Sequence, residues 1–171
     1  MEIVDNFLPQ DQFDLLVNQC NSLQFRINNG VSGESEGTDK HDWQLSHWFY
    51  QLPFEINNET FYMMTDILRK LDPAILSRAK LNINYNTEII HEHGYHNDCD
   101  KNQMHIFESA VFYLNTNDGY TKFEDGSIVE SVANRLVKFP ASLRHTGSSC
   151  TNAKYRMVLN LLYIPQNKEN K

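Results

Sequence analysis

With 171 residues, of which 40% are hydrophobic, 12% aromatic and 22% charged, the chain has the length of one domain and a globular composition, not a disordered or collagen-like one. A formal net charge of −7 without a long basic block disfavours extended nucleic-acid binding, and no apolar run approaches the roughly 18 residues of a membrane span. Three widely spaced cysteines, Cys20, Cys99 and Cys150, include no Cys-x-x-Cys pair, which argues against a disulfide framework and a structural zinc site. The N-terminus, Met1-Glu2-Ile3-Val4-Asp5, lacks the basic region and apolar block of a signal peptide, so a cytoplasmic setting is expected. Oligomeric state stays open.

Ile3-Val4-Asp5-Asn6-Phe7-Leu8 reads as a short edge strand. Pro9 and Asp11 then lead into a helix on which Phe13, Leu15, Leu16 and Cys20 fall at helical spacing. Residues 27–42 collect Asn, Gly, Ser, Glu and Asp and read as a mobile loop. Trp43, Trp48, Phe49 and Tyr50 follow, either packing under that loop or lining a groove. A second helix is predicted over about Glu59 to Leu71, where Phe61, Met64, Ile67, Leu68 and Leu71 recur at three- and four-residue intervals. Pro73 limits it.

From residue 79 the period changes to two: Leu81, Ile83 and Tyr85 alternate with Asn82, Asn84 and Asn86. Ser109 to Leu114 is an apolar strand closed by a turn at Asn115-Thr116-Asn117-Asp118-Gly119. Tyr120 to Phe123 and Ile128 to Val132 flank Glu124-Asp125-Gly126-Ser127, a hairpin signature. Arg135 to Phe139 and Arg156 to Ile164 complete a set of short strands, and the tail from Gln166 to Lys171 is polar. Helices first and many strands afterwards predict a single domain over 1–171, mainly β with flanking α. Its core, over about 79–165, would be a sandwich or barrel with protected edges.

Against this frame, His96 and Asp98 stand as His-x-Asp, so on a strand their side chains point the same way. His145 follows the end of the apolar strand at Phe139-Pro140. Two imidazoles and one carboxylate form the facial set that holds non-haem Fe(II) with coordination positions left open. Surface histidines are the plain alternative in a chain with seven of them. Arg156 alternates with Val158, Asn160 and Leu162 on one face of its strand, while Met157, Leu159, Leu161 and Tyr163 take the other. A buried guanidinium needs a planar anionic partner. An internal Asp or Glu could serve, and a bound dicarboxylate would match the fork. His91 and His93, in Ile90-His91-Glu92-His93-Gly94, could compete for metal but suit a surface or supporting role. His47 and His105 look incidental, and Asn97 and Thr146 could orient the two ligand histidines.

His96-x-Asp98, His145 and Arg156 together resemble the 2-oxoglutarate- and Fe(II)-dependent dioxygenases, especially the prolyl-4-hydroxylase-like branch. The likeness covers roughly residues 80–164, with a weaker match at Ile3–Leu8, and the compact, Asn-rich chain is also similar to phage-encoded members. It implies a double-stranded β-helix (jelly-roll) with the N-terminal helices packed on its sheet. It also implies iron on His96, Asp98 and His145, and 2-oxoglutarate with its distal carboxylate on Arg156. Phe112-Tyr113-Leu114-Asn115 resembles the family's Tyr-Leu-Asn strand, which gives Tyr113 a bond to that carboxylate. A family tyrosine that contacts the co-substrate maps most nearly onto Tyr85, with Asn82 and Asn84 as neighbours in contention. The activity implied is hydroxylation of a C–H bond using O2, with release of succinate and CO2 and with ascorbate as an accessory reductant. The substrate would be a protein or peptide side chain, proline by branch, or a small molecule. Two other readings are a hydroxylase or demethylase of a nucleobase or small metabolite, and a non-catalytic metal-binding jelly-roll.

Overall fold

The computed structural model describes residues 1–31, 41–53, 55–99 and 106–166. Most of the predicted 27–42 loop, His105 and the tail beyond Gln166 lie outside the described residues. β1 (Glu2–Val4) precedes α1 (Gln10–Cys20), β2 (Arg26–Asn29), β3 (Trp43–Gln51) and β4 (Glu55–Ile56). A 3₁₀ turn (Phe61–Met64) runs into α2 (Thr65–Leu71), then β5 (Pro73–Tyr85), β6 (Glu108–Tyr113), β7 (Tyr120–Phe123), β8 (Ile128–Glu130), β9 (Arg135–Pro140), β10 (His145–Gly147) and β11 (Tyr155–Pro165). Among the described residues no helix is long and apolar enough to cross a membrane.

Among the described residues an eight-stranded sheet runs β1-β9-β6-β11-β5-β3-β2, with β4 on β3, and a three-stranded sheet runs β10-β7-β8. The described strand pairs of both sheets are antiparallel. Val111, Tyr113, Val137, Phe139 and Val158 of the large sheet pack with Phe123 and Val129 of the small one. The two sheets therefore face each other as the double-stranded β-helix requires. On the opposite side of the large sheet, Phe13, Leu16 and Cys20 of α1 and Ile67 of α2 join Met157, Leu159, Leu161 and Tyr163 of β11 in the larger core. Period two on β11 thus decides the layering: odd positions take the helix side and even positions turn inward.

Several elements depart from the sequence reading, among them β3, which it does not mark as a strand, and β5, which begins at Pro73 and not at residue 79. Residues 26–29 form an edge strand on β3, not part of a loop. The polar residues of β3 that disguise it, Gln44 and Ser46, are buried. The second helix is shorter than predicted, since Phe61–Met64 takes 3₁₀ geometry and only Thr65–Leu71 is α-helical, ending where Asp72 turns left-handed at φ 50°. The first strand stops at Val4 because Asn6 has φ 51°. The 120–130 hairpin forms as predicted, with Gly126 supplying φ 87° at its turn.

Candidate metal centre and its anion pocket

His96 and His145 reach the same spot because their backbones pair. His96 N donates to His145 O at 3.0 Å and His145 N to His96 O at 3.1 Å. One ligand atom each from His96, Asp98 and His145 lies within 4.8 Å of the others. His145 Nε2 and Asp98 Oδ2 are 3.6 Å apart, a spacing one small cation could bridge. Each imidazole is fixed by a carbonyl at Nδ1, His96 by Gly94 O and His145 by Leu143 O, both at 3.1 Å. A neutral ring that donates from Nδ1 leaves the Nε2 lone pair for metal. Asn97 and Thr146 do other work: Asn97 Nδ2 donates to Ser142 O and Thr146 Oγ1 to His93 O. Phe139 packs edge-on against the His145 ring at 4.8 Å.

Asp98 is held at both oxygens. Arg78 contacts Oδ1, and Ser109 Oγ donates to Oδ2 at 2.6 Å. Burial alone would raise its pKa, but Arg78, the two imidazoles and the Ser109 hydrogen bond outweigh it and hold the carboxyl well below its usual range. Burial pushes His145 down, so its lone pair stays free near neutrality. The donor set therefore fits a divalent cation: one carboxylate and two imidazoles whose Nδ1 atoms are engaged by carbonyls.

Beside this cluster lies a small cavity lined by His96, Asp98, His145, Asn82, Asn84 and Arg156, among others. Arg156 is 2% exposed. Its Nε donates to Ser131 Oγ at 2.8 Å and one terminal nitrogen to Thr121 Oγ1 at 3.1 Å, while its guanidinium lies 5.5 Å over the Tyr113 ring. No described carboxylate pairs with it, so the alternative of an internal Asp or Glu finds no partner among the described residues. Gly147 leaves room on that side, since a Cβ there would stand 3.4 Å from the other terminal nitrogen. A buried cation held only by hydroxyls and an aromatic face suits a bound anion.

Two expected co-substrate contacts sit elsewhere. Tyr113 is fully buried behind Arg156, and its hydroxyl donates to Thr121 Oγ1 at 2.8 Å. It braces the arginine and does not line the cavity. Tyr85 is 46% exposed and stacks on Trp43 with centroids 5.1 Å apart. Strand alternation is the reason: Asn84 pairs with Arg156 and Asn82 with Val158 across β5–β11, so those two amides face inward and Tyr85 does not. With Trp43, His41, His91 and His93, Tyr85 lines a second, larger cavity of about 530 Å³ that shares Asn84 with the first. His47 is structural, bonded to Gln24 O and Thr60 Oγ1. Sequence reasoning missed Arg78, Ser109, Thr121 and Ser131. Arg78 alone carried a signal, being in phase with Asn82 and Asn84 on one strand face.

No family model and no curated protein matches the sequence. Solved structures do match its fold over nearly the whole chain. A Pseudomonas putida prolyl-4-hydroxylase aligns with TM-score 0.57 and 17% identity, covering 97% of this chain and 92% of that one. A Trichoplax adhaerens prolyl hydroxylase, solved with a hypoxia-inducible-factor peptide fragment, gives 0.65 and 13% over 96% and 83%. A 2OG-Fe(II) oxygenase-family oxidoreductase from Burkholderia pseudomallei gives 0.66 and 11% over 95% and 84%. The chain has the jelly-roll fold of these enzymes.

Proposed function

We propose that the chain acts, as a single domain, as a 2-oxoglutarate- and Fe(II)-dependent oxygenase that hydroxylates a C–H bond of its substrate and releases succinate and CO2. One observation carries this reading. The buried Arg156 has no described carboxylate partner and lines the same cavity as His96, Asp98 and His145. A metal-binding jelly-roll without turnover has no need of such a cation.

His96, Asp98 and His145 would hold the iron, and Arg156 the distal carboxylate of 2-oxoglutarate. When bound, the metal and co-substrate supply the activation of O2. The protein's part is positional. Gly94 and Leu143 carbonyls hold the two rings, Arg78 and Ser109 hold the carboxylate, and Thr121, Ser131 and Tyr113 hold the guanidinium. Val111 and Val158 line the same cavity and limit water in it.

A protein or peptide side chain is the substrate class we favour. In support, the matched Trichoplax enzyme is described with a peptide fragment, and the chain's negative charge disfavours a nucleic acid. A cytoplasmic setting belongs to the same proposal, supported by three widely spaced cysteines that include no Cys-x-x-Cys pair. The test is succinate formation from 2-oxoglutarate with Fe(II), O2 and ascorbate, by wild type and by His145→Ala. Wild-type turnover that vanishes in the variant is expected. Equal succinate from both would remove the metal assignment.

A further inference from the structure

Asn84 occupies the wall between the two cavities and sits directly opposite Arg156 in the β5–β11 register. Its side chain makes one hydrogen bond among the described residues, Nδ2 to His93 Nε2 at 3.3 Å. His93 is 6% exposed, and its other ring nitrogen, Nδ1, has no hydrogen-bond partner among the described residues. The carboxylate facing that nitrogen belongs to Asp42, with Oδ1 3.6 Å away. Asp42 is itself buried and steadied by Val31 N at 3.1 Å.

An amide NH2 can only donate, so His93 Nε2 must accept. A neutral imidazole that accepts at Nε2 carries its proton on Nδ1, aimed at Asp42. The opposite assignment fails on charge. A flipped amide would put the proton on Nε2 and leave the Nδ1 lone pair facing the Asp42 carboxylate. Burial first, then the neighbouring His91, lowers His93 to about 4, so the ring is neutral near pH 7. Its backbone is pinned separately, His93 N to Gly147 O at 3.0 Å and Thr146 Oγ1 to His93 O at 2.5 Å. Changes at Asp42 therefore reach the ring's proton without releasing the backbone around His93.

We infer that Asp42, His93 and Asn84 form a positioning relay for the co-substrate. Asp42 fixes the proton on His93 Nδ1, and His93 fixes the Asn84 amide. The second amide hydrogen of Asn84 is then left to donate to a carboxylate oxygen gripped by Arg156. Asn84 is the co-substrate contact, and His93 and Asp42 are positioning residues. The inference rests on the 2-oxoglutarate reading proposed above.

Two measurements test it, neither requiring turnover. Nitrogen-15 NMR of the metal-free protein reads the His93 tautomer, and calorimetry of the Ni(II)-loaded protein reads 2-oxoglutarate affinity. Wild type should show the Nδ1–H form. Asp42→Asn, matched in volume, should lose that preference and raise the Kd about tenfold, the scale of one hydrogen bond to a charged group. Asn84→Ala should do the same, and the double variant should be no weaker than Asn84→Ala alone. Asn84→Asp places an acceptor against both His93 and the co-substrate carboxylate. It should switch His93 to the Nε2–H form and bind more weakly than Asn84→Ala. A wild-type Nε2–H tautomer, an unchanged Kd in Asp42→Asn, or additive losses in the double variant would each overturn the relay. Wild-type protein that takes up Ni(II) but not 2-oxoglutarate overturns the co-substrate reading and the relay's purpose with it, while the tautomer still decides the Asp42–His93 link separately.

Discussion

Arg78 and Asp98 form a partly buried ion pair in which the guanidinium contacts Asp98 Oδ1 and also reaches the Asp98 carbonyl at 3.3 Å. With Ser109 on Oδ2, the carboxylate is fixed from β5 on one side and β6 on the other. The large sheet thereby reaches out to a ligand carried on a loop, and the metal centre depends on a residue from the strand that also carries Asn82 and Asn84.

Arg78→Met should make metal binding sensitive to acid at a higher pH. Arg78 is the foremost influence holding the Asp98 pKa down against burial, and a carboxyl must lose its proton to ligate. Without the guanidinium, only the two imidazoles and Ser109 oppose burial, and the pKa rises. The acid limb of Co(II) binding, followed by absorbance, should move up by about one pH unit or more. Affinity at neutral pH should fall roughly 10-fold, the usual scale for loss of a residue that orients a metal ligand. An unmoved acid limb would mean that Ser109 and the two imidazoles suffice to hold Asp98.

Arg156→Ala should weaken 2-oxoglutarate binding by roughly 100-fold or more, because a carboxylate loses a charge-assisted, two-pronged partner. Arg156→Lys should recover only part of this, since an ammonium lacks the fork that Ser131 and Thr121 hold in place. Calorimetry with Ni(II)-loaded protein separates the two. Metal affinity should be unchanged in both variants, because Arg156 touches none of the three ligands in the described hydrogen bonds.

How much of this was legible from residues alone follows the range of each contact. The alternation over 156–163 is local, so both the inward face with Arg156 and the helix-facing side with Met157, Leu159, Leu161 and Tyr163 could be read directly. His96-x-Asp98 is equally local, and the 120–130 hairpin announces itself by Asp125-Gly126. β2 and β3 were hidden because their inner faces carry Asn28, Gln44 and Ser46, buried or half-buried polar groups that mimic loop composition. Tyr85 was misplaced by one residue of strand phase, enough to move a side chain to the other face. The resemblance alone gives Tyr113 its co-substrate bond, and only the fold reveals that its hydroxyl donates to Thr121. Ser109 and Asp42 act on residues elsewhere in the chain, where no periodicity points, and Arg78, though in phase with Asn82 and Asn84, carries no sequence hint of its partner Asp98.

Gly119→Ala should damage the anion pocket through sterics alone. A Cβ at that position would lie 2.6 Å from Ser149 O, 2.7 Å from Arg156 Cδ and 2.8 Å from Asn117 Oδ1. Two of these neighbours are constrained, the backbone carbonyl and a buried arginine stem, so the chain must shift at a cost of about 1–3 kcal/mol. We expect a Tm lower by several degrees together with weaker 2-oxoglutarate binding. A normal melt with normal affinity would show that Arg156 can move aside freely, against its hydroxyl clamp.

His93 should make the protein acid-sensitive in a defined window. Its folded value of about 4 lies below the 6.5 of an unperturbed imidazole, with burial the main cause and His91 next. As pH falls from 6.5, the unfolded chain takes up the proton first, so the contribution to stability is fully present above about pH 6.5 and lost as pH falls through 4. The span of the shift sets an upper size of roughly 3 kcal/mol. Urea unfolding of metal-free wild type at pH 7 and at pH 4.5 should show most of that loss. His93→Gln, which cannot titrate, should begin less stable but lose correspondingly less between the two conditions. Parallel losses in both proteins would move the acid sensitivity to other groups and show that the buried imidazole ring of His93 is open to protons in the folded state.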